Sequence, residues 1–140
     1  MRDIDAAYLA GYIDGDGHIG ITLKKRPLGG KQHLVQMEIA STEKNVPEMA
    51  FLEFGGSLGL RRRYGKNKDL WRWIITGKKT ASVINVVKKY MVLKIDQADI
   101  ALRFVDTIKQ RGSKLTEQEF AHRENLRGMI LALNERGGQN

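Results

Sequence analysis

Cysteine is absent from the 140 residues, which excludes disulfides and thiolate metal sites. No apolar run is long enough to cross a bilayer, and nothing at the start reads as a signal peptide. There is no internal repeat, no low-complexity segment and no sign of a second domain. These absences point to a soluble, intracellular protein with no membrane partner, built as a single domain over residues 1–140. The 41% hydrophobic and 29% charged residues give an ordinary globular balance, enough for one modest core.

Charge is plentiful, and its placement is informative. The net charge is +8. Between His18 and Lys79 there are 13 Lys/Arg and 5 Asp/Glu, whereas the remainder holds 11 of each. The whole excess therefore lies in one stretch. A uniform excess would speak mainly of solubility; a localised one suggests a face that binds a polyanion.

Hydrophobic spacing predicts a helix from about Asp5 to Asp14, with Leu9, Tyr12 and Ile13 on one side and Gly15 and Gly17 ending it. Ile19, Ile21 and Leu23 then alternate with His18, Gly20, Thr22 and Lys24, as in a strand with one buried face. Arg26 to Gly30 reads as a loop, and His33 to Ser41 as a second strand with Val35, Met37 and Ile39 inward. A helix from about Lys44 to Phe54 stops at Gly55-Gly56. Strands Leu58–Tyr64 and Leu70–Thr76 are joined by a hairpin at Gly65 to Asp69. From Lys78 the pattern is helical, with breaks near Lys94 and Gly112-Ser113 and a last helix after Thr116 as N-cap. Helix, two strands, helix, two strands, helices is an α+β order. It suggests four antiparallel strands with helices on one face and a basic face left free, a shape that can enter a DNA groove.

The segment Leu9-Ala10-Gly11-Tyr12-Ile13-Asp14-Gly15-Asp16-Gly17 carries the chemistry. Glycine inside a helix costs about 1 kcal/mol relative to alanine. Gly11 and Gly15, with Ala7 extending the stripe, place small residues four apart, a spacing that admits a second helix at close range. If that helix is an identical copy, the protein is a two-fold homodimer. Two Asp16 carboxylates then lie near each other, able to hold divalent ions against phosphate oxygens and to support phosphodiester hydrolysis.

Other readings of these glycines fare differently. Gly15-Asp16-Gly17-His18-Ile19-Gly20 has the spacing of a dinucleotide fingerprint, but that motif needs a strand before it and a helix after, the reverse of the order here. A calcium-loop reading from Asp14 fails because its twelfth position is Lys25 where a bidentate Glu is required. A plain helix-to-strand turn stays open.

The same nine residues resemble the LAGLIDADG homing endonucleases. Leu9, Ala10, Gly11, Ile13, Asp14, Asp16 and Gly17 agree with the motif that names the family; Tyr12 and Gly15 depart from it. The likeness continues through Trp71-Arg72-Trp73, Gly77 and Tyr90 to Lys94 with Gln97-Ala98. It implies an αββαββα fold with a concave sheet on DNA, followed by C-terminal helices, and a homodimer because the chain has one motif. It implies a catalytic, metal-binding Asp16 assisted by the Gly15 carbonyl, a structural Asp14, and Lys94 as the lysine near the active-site water network. A lysine between apolar helices needs an anion nearby; a lysine exposed in a linker stays the other reading. Ser41 or Thr42 stands where many relatives carry a glutamine or another polar residue.

The resemblance further implies Mg²⁺, with Mn²⁺ or Ca²⁺ as substitutes, and cleavage of both strands with short staggered ends. It implies that the sheet reads double-stranded DNA. Strand alternation then nominates Thr22, Lys24, Gln36, Glu38, Arg61, Arg63 and Arg72 for base edges, with Arg26, Lys66 and Lys68 as further basic contacts. Lys25 and Arg62 are poorer candidates, being out of phase. The expected function is a site-specific homing endonuclease cutting a long pseudo-palindromic site. The alternatives are a non-cleaving nucleic-acid binder on the same fold, such as an intron maturase or a regulator, and a helical interaction protein with a basic strand patch.

Overall fold

The structure is a computed structural model and describes residues 1–65, 68–109 and 113–138. The chain runs α1 (Asp3–Asp16), β1 (His18–Lys25), β2 (Lys31–Ser41), α2 (Asn45–Phe54), β3 (Ser57–Arg61), β4 (Leu70–Thr76), α3 (Lys79–Val87), a 3₁₀ turn (Lys88–Tyr90), α4 (Ile95–Val105) and α5 (Glu117–Gly138). The α+β order is as expected. The strands form one antiparallel sheet in the order β1-β2-β4-β3.

Alternation decides which way the sheet faces. In β2, His33, Val35, Met37 and Ile39 are buried, whereas Leu34, Gln36, Glu38 and Ala40 are half-buried. The register sets Met37 opposite Ile75 and Ile39 opposite Trp73, so their side chains share the inner face. Helices cover that face and supply Leu9, Ile13, Ile84, Phe104, Leu126 and Ile130 to a continuous apolar core. Burial of this cluster is the main source of stability, since each such side chain contributes roughly 1.5–3 kcal/mol. The indole N–H of Trp73 finds its partner in the Gly55 carbonyl at 2.8 Å. Gly56, next to it, has φ +90°, and a Cβ there would lie 2.5 Å from the Ile74 carbonyl oxygen. The α2–β3 turn therefore requires glycine.

Several expected boundaries shift. Helix α1 extends to both sides of 5–14, and Gly15 lies inside it rather than ending it. The stop is at Gly17, whose N–H bonds to the Ile13 carbonyl at 2.9 Å and where any Cβ would collide with Ile13. Strand β2 starts at Lys31, two residues before the expected His33, and α2 begins after Lys44. Strand β3 ends at Arg61, not Tyr64. The Arg63 N–H turns to the Asp69 carboxylate at 3.2 Å while its Nε donates to the Lys68 carbonyl at 2.6 Å. Those bonds close the connection locally in place of a longer ladder. The break near Lys94 is present, and Ser113 is non-helical; Gly112 and Lys66 lie outside the described residues. Thr116 caps α5 with a reciprocal bond pair: Glu119 N–H to the Thr116 hydroxyl at 3.1 Å, and Thr116 N–H to the Glu119 carboxylate at 3.0 Å. Among the described residues no helix is long and apolar enough to cross a membrane.

Candidate nucleic-acid interface and catalytic carboxylate

The last turn of α1 separates two aspartates by their direction. Asp14 is buried, and its carboxylate accepts the N–H of Val92 at 2.6 Å and of Lys94 at 3.0 Å. It thereby pins the link between the 3₁₀ turn and α4 onto α1. Asp16, two residues on, is exposed. The helix ends directly at β1, so this free carboxylate stands at the edge of the sheet beside the carbonyl-rich terminus of α1.

Lys94 comes to the same place by a different contact from the one expected. Among the described residues its ammonium has no anion as partner, and it donates to the backbone carbonyl of Asp14 at 2.6 Å. That carbonyl is one of the last-turn groups with no donor inside the helix, at the negative end of its dipole. One lysine thus satisfies an orphaned acceptor and is fixed two residues from Asp16.

Exposed carboxylate and carbonyl oxygens are donors suited to a hard divalent cation. Among the described residues no group of three potential metal-ligating side chains comes together. The outer side of α1 is open. Gly11 and Gly15 are exposed, and a Cβ on either would meet nothing within 4 Å. Among the described residues nothing requires glycine at these two helical positions. Ile4 (70% exposed) and Tyr8 (61%) continue the stripe toward the N-terminus, with Ala7 half-buried between them. Val92 and Leu93, exposed in the turn that Asp14 holds, add apolar surface near its other end. Sequence reasoning found the glycines and missed these four apolar residues. Ile4, Tyr8, Gly11 and Gly15 recur at helical spacing, a signal that was available; the exposure of Val92 and Leu93 depends on a contact 78 residues distant.

The outer face of the sheet collects most of the expected contact residues. Thr22 stands opposite Leu34 and Lys24 opposite Gln32, while Gln36 stands opposite Thr76. Glu38 lies between His18 and Ile74 in the ladder, Arg72 opposite Ala40 and Gly59, and Arg61 opposite Leu70. All of these share one face. Lys25 falls on the helix-side phase opposite Lys31, as expected. Arg63 is corrected: it belongs to the β3–β4 connection, not to a strand, and is engaged by Lys68 and Asp69. Exposed Lys68 lies in that connection, and Arg26 in the β1–β2 loop. Ser41 is on the helix-side phase opposite Trp71, and its hydroxyl accepts the Glu43 N–H at 3.1 Å, a turn-forming role; Thr42 follows in the bend.

The histidines divide as well. His33 had no role in sequence reasoning but is buried against Phe120, its Nε2 2.7 Å from the Glu124 carboxylate on α5. This contact, with help from Arg127, holds the Glu124 carboxyl below its ordinary range. His18 is exposed on the outer face, its ring lying over Gly20, where a Cβ would be 2.6 Å from Nε2.

A family profile described as LAGLIDADG endonuclease matches residues 9–104. No curated protein matches the chain. Among solved structures, the homing endonuclease I-CvuI in complex with its target in the presence of Ca²⁺ has TM-score 0.76 at 18% identity, over 94% of this chain and 82% of its own. The archaeal intron-encoded homing endonuclease I-Vdi141I, complexed with DNA, has TM-score 0.76 at 14% identity, over 95% and 86%. The LAGLIDADG homing endonuclease I-SmaMI, bound to cleaved DNA, has TM-score 0.67 at 19% identity, over 88% of this chain but 42% of its own.

Proposed function

The chain belongs to the LAGLIDADG endonuclease family, and from that membership we propose that it is a homodimeric, site-specific endonuclease cutting both strands of a long pseudo-palindromic DNA site. The observation that carries this reading is the exposed Asp16 at the junction of a bare helix face and an outward basic sheet. The outer side of α1 mates with its two-fold copy, Gly11 and Gly15 letting the backbones approach. The two Asp16 carboxylates, each with its Gly15 carbonyl, would hold Mg²⁺, which when bound supplies Lewis acidity and neutralises charge at the phosphodiester. I-SmaMI, more than twice as long as the part matched here, supports the idea that one copy of this fold is half of a working unit.

The remaining work belongs to the chain's own groups. The outer sheet face enters the major groove, where Thr22, Lys24, Gln36, Glu38, Arg61 and Arg72 meet base edges and Arg26, Lys66 and Lys68 meet phosphates. Lys94, anchored on the Asp14 carbonyl, keeps ammonium N–H groups free to orient a phosphate oxygen or the attacking water. Ser41 and Thr42, at and just past the end of β2, are the further polar candidates for orienting that water.

The test is cleavage of a duplex carrying a selected site, with and without Mg²⁺. Asp16→Asn is expected to lose cleavage by about a thousandfold or more, on the scale of removing a principal charge-stabilising group, while keeping or improving DNA affinity. Cleavage equal to the parent would remove Asp16 from the chemistry. Site-specific binding without any cleavage by the parent would leave a non-cleaving binder on this fold.

A further inference from the structure

On the outer face one acid sits among the bases. Arg72 Nη2 donates to Glu38 Oε2 at 2.7 Å, joining β4 to β2. The register sets Ala40 opposite Arg72 and Ile74 opposite Glu38, so the two side chains reach each other diagonally. Across the other ladder Glu38 stands opposite His18, two residues after Asp16. The pair therefore occupies the end of the sheet from which the α1 carboxylate emerges. Its side chains are 42% and 23% exposed, and an ion pair that open adds little to stability. A carboxylate on a surface that meets phosphates also opposes binding unless it has a partner of its own.

Resting on the endonuclease reading above, we infer that Glu38 and Arg72 act as one unit that reads a single G·C base pair in each half-site, close to the cut. On the major-groove edge guanine offers two acceptors, N7 and O6, and cytosine a donor, the N4 amino group. The bond between the side chains uses one oxygen of Glu38 and one nitrogen of Arg72. Among the described residues it leaves Glu38 Oε1 and the other guanidinium N–H groups without protein partners. Donors on one side and an acceptor on the other match the guanine and cytosine edges in one orientation. The inverted pair sets the amino group against the guanidinium, and an A·T pair lacks the second purine acceptor. Because Glu38 already holds the guanidinium, Arg72 loses little side-chain freedom on binding.

The experiment is selection of bound duplexes from a randomised library by the full-length protein in Ca²⁺, with melting curves as the control for folding. The parent is expected to select one oriented G·C pair per half-site at a position near the centre. Arg72→Ala and Arg72→Lys should each lose about ten- to a hundredfold preference there and nowhere else. The lysine variant should retain the parent's salt dependence, since charge persists and only the two-pronged geometry is lost. Glu38→Gln should lose the orientation preference while still folding and binding. If the variants lower affinity evenly across all sequences, or leave every position unchanged, the inference fails and the endonuclease reading stands. A parent that selects no site at all overturns both.

Discussion

Helices α1 and α5 pack on the same side of the sheet, but they finish their contacts differently. Helix α5 is knitted into its own chain by polar bonds. Its first turn is closed by the Thr116–Glu119 pair, and the Arg123 guanidinium donates to the Thr107 hydroxyl and carbonyl at 3.0 and 2.8 Å. Glu124 meets His33, and Asn134 donates to the Ile19 carbonyl at 3.0 Å. Helix α1 has no side-chain cap, two glycines facing open space, and apolar residues on both its inner and outer sides. The one helix is tied to its own chain by polar bonds along its length; the other leaves two glycines and apolar side chains exposed on its outer side.

That contrast can be broken most directly at Gly11. Among the described residues nothing obstructs a side chain there, so Gly11→Leu should leave the isolated fold intact and even raise its stability by up to about 1 kcal/mol through helix propensity. It should nevertheless abolish the dimer in sedimentation velocity, and cleavage with it. An active dimer from this variant would move the seam off α1.

The inner side of the same helix should respond in the opposite sense. Asp14→Ala leaves two backbone N–H groups, on Val92 and Lys94, without their acceptor, and is expected to cost on the order of 2–4 kcal/mol in urea unfolding. Asp16→Asn should cost almost nothing in the same assay. Equal losses would erase the distinction between the two acids.

The smallest effect concerns the closed end of α5. The Lys109 ammonium and the Thr116 N–H hold the Glu119 carboxyl at about 2, below its usual 4.5. A depressed value means a contribution present above pH 4.5 and lost as pH falls through 2. The melting midpoints of the parent and Glu119→Gln should therefore differ at pH 6 and converge toward pH 2. A gap independent of pH would mean that the cap works without its charge.

The sequence made α1 and the strands legible because period and motif are local properties. Leu9 and Ile13, or Val35, Met37 and Ile39, declare their faces by spacing alone. The glycine pair and Asp16 could be singled out for the same reason. What escaped depends on partners far along the chain. The burial of His33 is set by Glu124 and Phe120, and the lysine–carbonyl contact by a link 80 residues away. The Glu38–Arg72 pair exists only once β2 and β4 are in register. Arg63 was misplaced because a side chain, Asp69, competed for a backbone donor that alternation assigns to a strand.

The grip of Asp14 on residues 92–94 has one more consequence. Its carboxylate takes the N–H groups of Val92 and Lys94 while the Lys94 ammonium returns to the Asp14 carbonyl, so one residue of α1 is acceptor for both the backbone and the side chain of that turn. Asp14→Ala would remove the two backbone contacts and leave the lysine–carbonyl contact as the turn's remaining hydrogen bond to residue 14.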